Sequence, residues 1–338
     1  MNAPSTGITR RHALAATGAA ALTSGLGLRP ASAQMATIRQ GYQTNIWGMP
    51  TYYLLKSGAL EKRGVKFEEF AVASGNLTMQ QMVARQVDMG TYAAQSFIIG
   101  HDKGGLVAIA QIEHVGKTAQ IVARKDLNIT KVEELRGRKV ANQTGSSIGN
   151  VFVDIIAPKA GLKKGDFQEV RMDVNNMAAA LAAKTVDAFV GVEPYNEIAV
   201  AEGFGVSLMD FSSIDKMPVF MAATPDFVQK NPDTVVAYLE AWQEVASDFK
   251  NNPTKVSDLI YSYFSSKGFT MSRETLAKAL ARVEVSPGFP AGLEPDLRRD
   301  AEVLLREKKI EAIPDWKKAL RPDLWAKAVD FTASHKPR

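Results

Sequence analysis

Residues 144–149, TGSSIG, combine small, hydroxyl-bearing and flexible side chains between a strand-like run, RKVAN, and an apolar helix-like run, NVFVDIIAPKAGL. Read as G-x-S-x-G, with Gly145, Ser147 and Gly149, the segment matches a nucleophile elbow, in which a sharp strand-to-helix turn presents serine to a histidine. Read as small residues opening a helix, it is an anion cradle. The first backbone N–H groups of a helix lack intrahelical partners, and the helix dipole adds about half a positive charge at that end. Thr144, Ser146 and Ser147 add hydroxyl donors, and Gly145 permits a positive φ and close backbone approach. The plainer alternative is that one serine caps the helix.

Hydrolysis requires a base, and the chain supplies a poor one. The only histidine after Ser147 is His335, three residues from the C-terminus, where chains usually fray. Asn142, Gln143 and Thr144 also intervene where an elbow needs a tight turn, and no HGGG motif lies upstream. No catalytic residue is therefore expected, and the cradle is favoured. Neither a P-loop nor a G-x-G-x-x-G after a strand is present, so no nucleotide or other cofactor is expected. The chain has no cysteine, and His12, His101, His114 and His335 lack metal-binding spacing, so no metal site is expected.

Other donor sets stand at predicted strand ends, where open parallel sheets place ligands. QTNIWGMP offers Asn45 as a donor and Trp47 as a stacking face or a packing staple. ASGN places Ser74, Gly75 and Asn76 at a helix start, and GTYAAQS brings Tyr92 and Ala93 after a strand. GVEPYNEI supplies Glu193 and Tyr195; Glu193 would repel an anion but suit an amine, or serve as a first-turn acid. His114 and Lys117 stand ready to neutralise an anion or to be solvated.

The elements that carry these loops alternate. ATIRQGY, VKFEEFAV, VDMGTY, LVAIAQIEH, AQIVARK, RKVAN, FQEVRM and VDAFVG read as strands, separated by amphipathic helices, which predicts an α/β fold with largely parallel sheets. From Thr224 onward the pattern is mostly helical. QMVARQVDMG and ALAAKTVDAF echo each other, each running a helix into a Val-Asp strand start at Asp88 and Asp187.

Residues 1–33 read as a signal peptide: a paired Arg10-Arg11, a mildly apolar stretch from His12 to Leu28, and ASA before Gln34. The twin arginine points to the Tat route, and the apolar stretch falls short of the roughly 20 strongly apolar residues that span a bilayer. That segment holds Arg10, Arg11 and Arg29 and no acid, so its removal lowers the formal charge from +5 to +2. A nearly neutral surface without Lys/Arg blocks argues against nucleic acid as a partner. Without cysteine there is neither a disulfide nor a lipid anchor, which favours free residence in a Gram-negative periplasm.

GYQTNIWGMPTYYLLKSGALEKRGV, ASGNLTMQQMVARQVDMG, VEELRGRKVANQTGSSIGN and AAALAAKTVDAFVGVEPYNEIA, in this order, resemble the periplasmic solute-binding proteins of ABC importers. The resemblance is to binders of aliphatic sulfonates, taurine, nitrate and bicarbonate, with thiamine-precursor pyrimidine binders as relatives. It implies a two-lobed type II periplasmic-binding fold, with 36–117 plus 224–338 in one lobe and 118–223 in the other. The chain would cross near GKTAQIV, where Thr118 is a candidate ligand contact, and near MPVFMAAT. It further implies that the TGSSIG loop faces a cleft, that a small-molecule anion is captured by lobe closure, and that a monomer docks on a membrane permease with a separate ATPase. Where the family often has proline and glycine, this chain has Asn175-Asn176 and Lys184-Thr185, and Asn175 becomes a candidate ligand contact. A sulfonate is the first choice of ligand, with nitrate, taurine, an aromatic acid and a pyrimidine open. The family's cysteine-dependent pyrimidine synthase branch does not fit a chain without cysteine.

Overall fold

The computed structural model describes residues 35–334. Residues 1–33, expected to be a signal peptide, and His335 lie outside the described residues. The strands, in chain order, are β1 (Ile38–Gln43), β2 (Phe67–Val72), β3 (Met89–Ala93), β4 (Val107–His114), β5 (Ala119–Arg124), β6 (Lys139–Asn142), β7 (Gln168–Arg171), β8 (Ala188–Val192), β9 (Gly205–Asp210), β10 (Pro218–Ala223) and β11 (Glu284–Gly288). Four helices bear on the site: α1 (Met49–Lys56), α2 (Gly75–Val83), α3 (Ala94–Gly104) and α4 (Ser147–Val151).

Two sheets organise the chain. One has the order β11-β4-β10-β3-β1-β2, and the other β7-β6-β8-β5-β9. Each contains a parallel triple with its first strand in the middle, β2-β1-β3 and β7-β6-β8, flanked by an antiparallel strand, β10 or β5. The two connections between the sheets run side by side. Gly116 N–H donates to Lys216 O at 2.9 Å, Val115 N–H to Met217 O at 3.2 Å and Phe211 N–H to Gly116 O at 3.0 Å. This is the two-lobed arrangement with a hinge of two crossing strands.

The Val-Asp echo has a physical basis. Arg85 and Lys184 both take φ 60°, ending their helices in the left-handed conformation. In each case the next residue reaches back five positions, Gln86 N–H to Gln81 O at 2.9 Å and Thr185 N–H to Ala180 O at 3.0 Å. The aspartate that follows accepts from the backbone opening the neighbouring strand: Asp88 from Arg39 N–H at 3.1 Å, Asp187 from Lys139 N–H at 2.9 Å. Each carboxylate thus sets the register of its parallel triple. Lysine at 184 fills a position that glycine adopts without steric cost, which is what the departure at Lys184-Thr185 means locally.

Between α4 and Gly161 the sequence predicts one helix, and the structure breaks it into α4, a π-helical turn at Phe152–Ile156 and a short turn at Ala157–Lys159. Pro158 has no N–H and its ring crowds the preceding turn, so that turn widens to an i→i−5 bond from Ala157 N–H to Phe152 O. The sequence pattern does not announce α3, β9 or β11. α3 opens without a side-chain cap, and β11 carries Pro287 in a segment read as helical.

Candidate functional site

The loops after β1, β2, β3 and β6 and the end of β8 converge on one space between the sheets. Asn45, Trp47, Ser74, Gly75, Asn76 and Ala93 line it from the first sheet, and Ser146 and Ser147 from the second. Gln43, Ser96, Gln143, Ile148 and Val192 complete the lining, and no lysine, arginine or histidine is among them. The space measures about 10 Å³, about enough for one water, so anything larger enters only if the two halves part.

Three of the donors also cap the turns that present them. Asn45 Oδ1 accepts from Trp47 N–H at 3.0 Å, Ser74 Oγ from Leu77 N–H at 3.3 Å, and Ser146 Oγ from Gly149 N–H at 3.3 Å. Capping therefore falls to Ser146, and its neighbour Ser147 is left to face the other half. Ser147 Oγ accepts from Ser96 N–H at 3.2 Å and lies 3.0 Å from Ser96 Oγ. Ser147 thus satisfies an orphan donor at the start of α3, and among the described residues neither an imidazole nor a carboxylate bonds its hydroxyl.

The two halves build these loops alike. Gln43 ends β1 and its carbonyl lies where a Cβ on Gly48 would be, at 1.8 Å; Gln143 follows β6 and its carbonyl lies 2.4 Å from a Cβ on Gly149. Each loop folds back on a glutamine carbonyl through a glycine that has no room for a side chain. Gly149 is therefore required by backbone approach rather than by an elbow. Gly75 is confined similarly, with Tyr92 Cβ 2.6 Å from the position of a Cβ.

The remaining candidates lie elsewhere. Tyr92 is fully buried beneath α2, with its hydroxyl 3.5 Å from Met82 Sδ, so it is a core residue rather than a ligand contact. Thr118 sits in the first crossing, donates to Val115 O at 2.8 Å and accepts from Trp47 Nε1 at 2.6 Å; it reaches the site only through Trp47. That bond also makes Trp47 a staple whose ring edge lines the space. Gly145 is exposed with φ 85°, as its glycine identity predicts, and Thr144 Oγ1 turns outward to Glu169 at 2.6 Å. Tyr195 packs 5.5 Å from the Phe269 ring and donates to Asn175 Oδ1 at 2.9 Å, while Asn175 Nδ2 reaches Thr44 Oγ1 of the other half at 3.5 Å. His114 contacts Gln111 at 3.2 Å and Lys117 pairs with Glu284, so neither faces the inner space.

Glu193 requires the largest correction. Its side chain is fully buried, meets Arg282, Gln120 Nε2 at 3.0 Å and Glu197 N–H at 3.0 Å, and does not line the space. Arg282 follows a helix at Arg273–Leu280 and precedes β11, and it also pairs with Glu197 at 3.0 Å. Burial pushes the Glu193 carboxyl up to about 7, with Arg282 offsetting part of that rise. On another side of the cleft Lys309 Nζ donates to Asn150 Oδ1 at 2.9 Å and Asp154 Oδ2 at 2.8 Å, the latter in the π-helical turn. Arg282, Lys309 and Ser96 thus tie the first half to the second at separate points. Basic residues in a helical C-terminal region gave no sequence cue to this role.

Among the described residues no cluster of His, Cys, Asp or Glu is arranged to hold a metal, and no helix is long and apolar enough to cross a membrane.

Comparison with known proteins places this geometry. The alkanesulfonate-binding protein SsuA of Xanthomonas axonopodis pv. citri, solved bound to MOPS, superimposes with a TM-score of 0.75 at 17% identity, covering 86% of this chain and 99% of its own. The periplasmic nitrate-binding protein NrtA of Synechocystis PCC 6803 gives a TM-score of 0.71 at 17% identity, covering 90% of each chain. In sequence, an Escherichia coli K12 protein provisionally named an aliphatic sulfonates-binding protein is 25% identical over 211 residues, 61% of this chain and 65% of its own. The fold is that of type II periplasmic binding proteins. The NMT1/THI5-like family pattern matches residues 48–256, and the chain belongs to that family.

Proposed function

We propose that this protein is the periplasmic substrate-binding component of an ABC importer and that it captures a small organic anion, an aliphatic sulfonate first among them, by lobe closure. The lobes follow the expected 36–117 plus 224–338 and 118–223 except at the second crossing: β10 (Pro218–Ala223) pairs with β3 and β4 in the first sheet, so the first lobe resumes at 218 and the second ends at 217. The observation that carries the reading is the ring of neutral donors from both halves, closed by the Ser96–Ser147 contact around a space without cations. A sulfonate spreads one charge over three oxygens and is well served by several neutral N–H and O–H donors. Trp47 and Ile148 supply an apolar neighbour for an alkyl tail. The three relatives described above are named as binding proteins, in keeping with a chain that binds rather than catalyses. The ligand would pass unchanged to a membrane permease driven by a separate ATPase. The protein would be a monomer, exported through the Tat route by its Arg10-Arg11 signal and free of a lipid anchor.

Closure follows from differential contacts. A ligand bound by donors of one half draws in donors of the other, and only contacts unique to the closed state shift the equilibrium. Hydrogen bonds to a charged group contribute about 1.5–3 kcal/mol each. Four at the upper value, less an association cost of about 4 kcal/mol, reach the roughly −8 kcal/mol of a micromolar complex.

A thermal-shift panel of alkanesulfonates, taurine, nitrate, aromatic acids and pyrimidines tests the ligand class. A saturable shift with short alkanesulfonates is expected. A shift confined to nitrate or to pyrimidines would replace the sulfonate reading. Ser147→Ala should weaken sulfonate binding by about 0.5–3 kcal/mol, read by titration calorimetry, because one donor is lost. Full wild-type affinity in that variant would remove Ser147 from the site.

A further inference from the structure

A second space, of about 420 Å³, opens off the inner one and shares Ser74, Asn76, Gln143 and Ser146 with it. Arg171 lines this outer space and is the only cationic side chain lining either of the two. It ends β7, in register with Asn142 of β6, one residue before the loop that carries Gln143 and the serines. Among the described residues its guanidinium has no ion-pair or hydrogen-bond partner, whereas most other described arginines are paired, as Arg39, Arg124, Arg136, Arg282 and Arg321 are. The one carboxylate of the outer lining, Asp173, receives Gln143 Nε2 at 3.4 Å. The inner space thus offers neutral donors for one anionic head, and the outer space offers a free planar cation suited to a carboxylate.

We infer that Arg171 reads a second negative charge on the ligand, so that the substrate class is an organic sulfonate carrying a further acid group, such as a sulfocarboxylate. The inference rests on the sulfonate reading of the inner space. An alkanesulfonate would hold its head on the inner donors and its first carbons beside Trp47 and Ile148, with the tail end reaching the polar outer space; a terminal carboxylate at that end meets the guanidinium.

The test is a ratio of affinities, measured by titration calorimetry at low salt on the whole protein: propane-1-sulfonate against 3-sulfopropanoate. In the wild type 3-sulfopropanoate should bind about two- to fivefold more tightly, as expected for an ion pair with the exposed Arg171, a gain that shrinks toward one in half-molar salt. In Arg171→Gln the ratio should fall to about one, and Arg171→Lys should keep part of it. A wild-type ratio near one, or a ratio unchanged in Arg171→Gln, overturns the inference while leaving the sulfonate reading in place. Tighter binding of 3-aminopropane-1-sulfonate than of either probe also overturns it, with Asp173 as the reader. Binding of none of the three contradicts the sulfonate reading itself and this inference with it.

Discussion

Replacing Arg282 by methionine should destabilise the fold by about 3 kcal/mol at pH 8 and by far less at pH 5. Removing one partner of a buried ion pair costs about 3–5 kcal/mol, because it strands the other charge, and the partial exposure of Arg282 puts the expected loss at the lower end. The pH dependence comes from Glu193. Its folded-state value, about 7, lies above the ordinary 4.5, so its native form holds a proton that the unfolded chain has released over that window. Stability from this group is therefore present below pH 4.5 and is lost as pH rises toward 7. Without Arg282 the carboxyl rises further. At pH 5 it is neutral in both proteins and only the Glu197 pair is lost, whereas at pH 8 the variant must also bind a proton on Glu193 or hold a bare buried charge. Urea unfolding at the two pH values reads the difference. Adding Glu193→Gln to the variant should restore the pH-dependent part of the loss at pH 8, and an equal loss at both pH values would show that Arg282 acts through packing and Glu197 rather than through Glu193.

Gly149→Ala should cost about 3 kcal/mol and abolish ligand binding. A methyl group there would stand 2.4 Å from the Gln143 carbonyl and 3.0 Å from its carbon, both backbone atoms that no rotamer change can move aside. Overpacking typically costs 1–3 kcal/mol, and a clash with backbone belongs at the upper end. The loop must open to accept it, which carries Ser146 and Ser147 out of the cleft. Gly161→Ala serves as the comparison: it replaces a glycine with φ 67° that meets nothing within 4 Å, so it should cost backbone strain and leave binding intact. Chemical denaturation and calorimetry distinguish the two. Wild-type affinity in Gly149→Ala would mean that the loop does not need its tight return.

What the sequence revealed and what it hid divide along physical lines. Local chemistry was legible: caps, glycines and helix-to-strand transitions are written in neighbouring residues, and Ser74, Ser146 and Gly145 do what their types predict. The Val-Asp echo was legible as a pattern, and its meaning, a carboxylate fixing strand register in both halves, emerged from hydrogen bonds to residues 49 and 48 positions away. Long-range partners were hidden. Nothing local announces that Glu193 faces Arg282, that Trp47 bonds Thr118, or that Tyr92 turns into the core rather than the cleft. α3 was also hidden, because Ala93 opens it without a polar cap, and with it went Ser96. That is the residue whose amide and hydroxyl meet Ser147, so the sequence offered one half of the central contact.

That contact defines the account's main statement, that Ser147 holds a ligand and does not transform it. Proton NMR of propane-1-sulfonate, titrated with the protein and left at room temperature for a day, reads binding and chemistry together. Saturable broadening of the ligand resonances with their intensities conserved and no new signals is the expected result. Absence of broadening at millimolar ligand, or resonances of a new product, would contradict it.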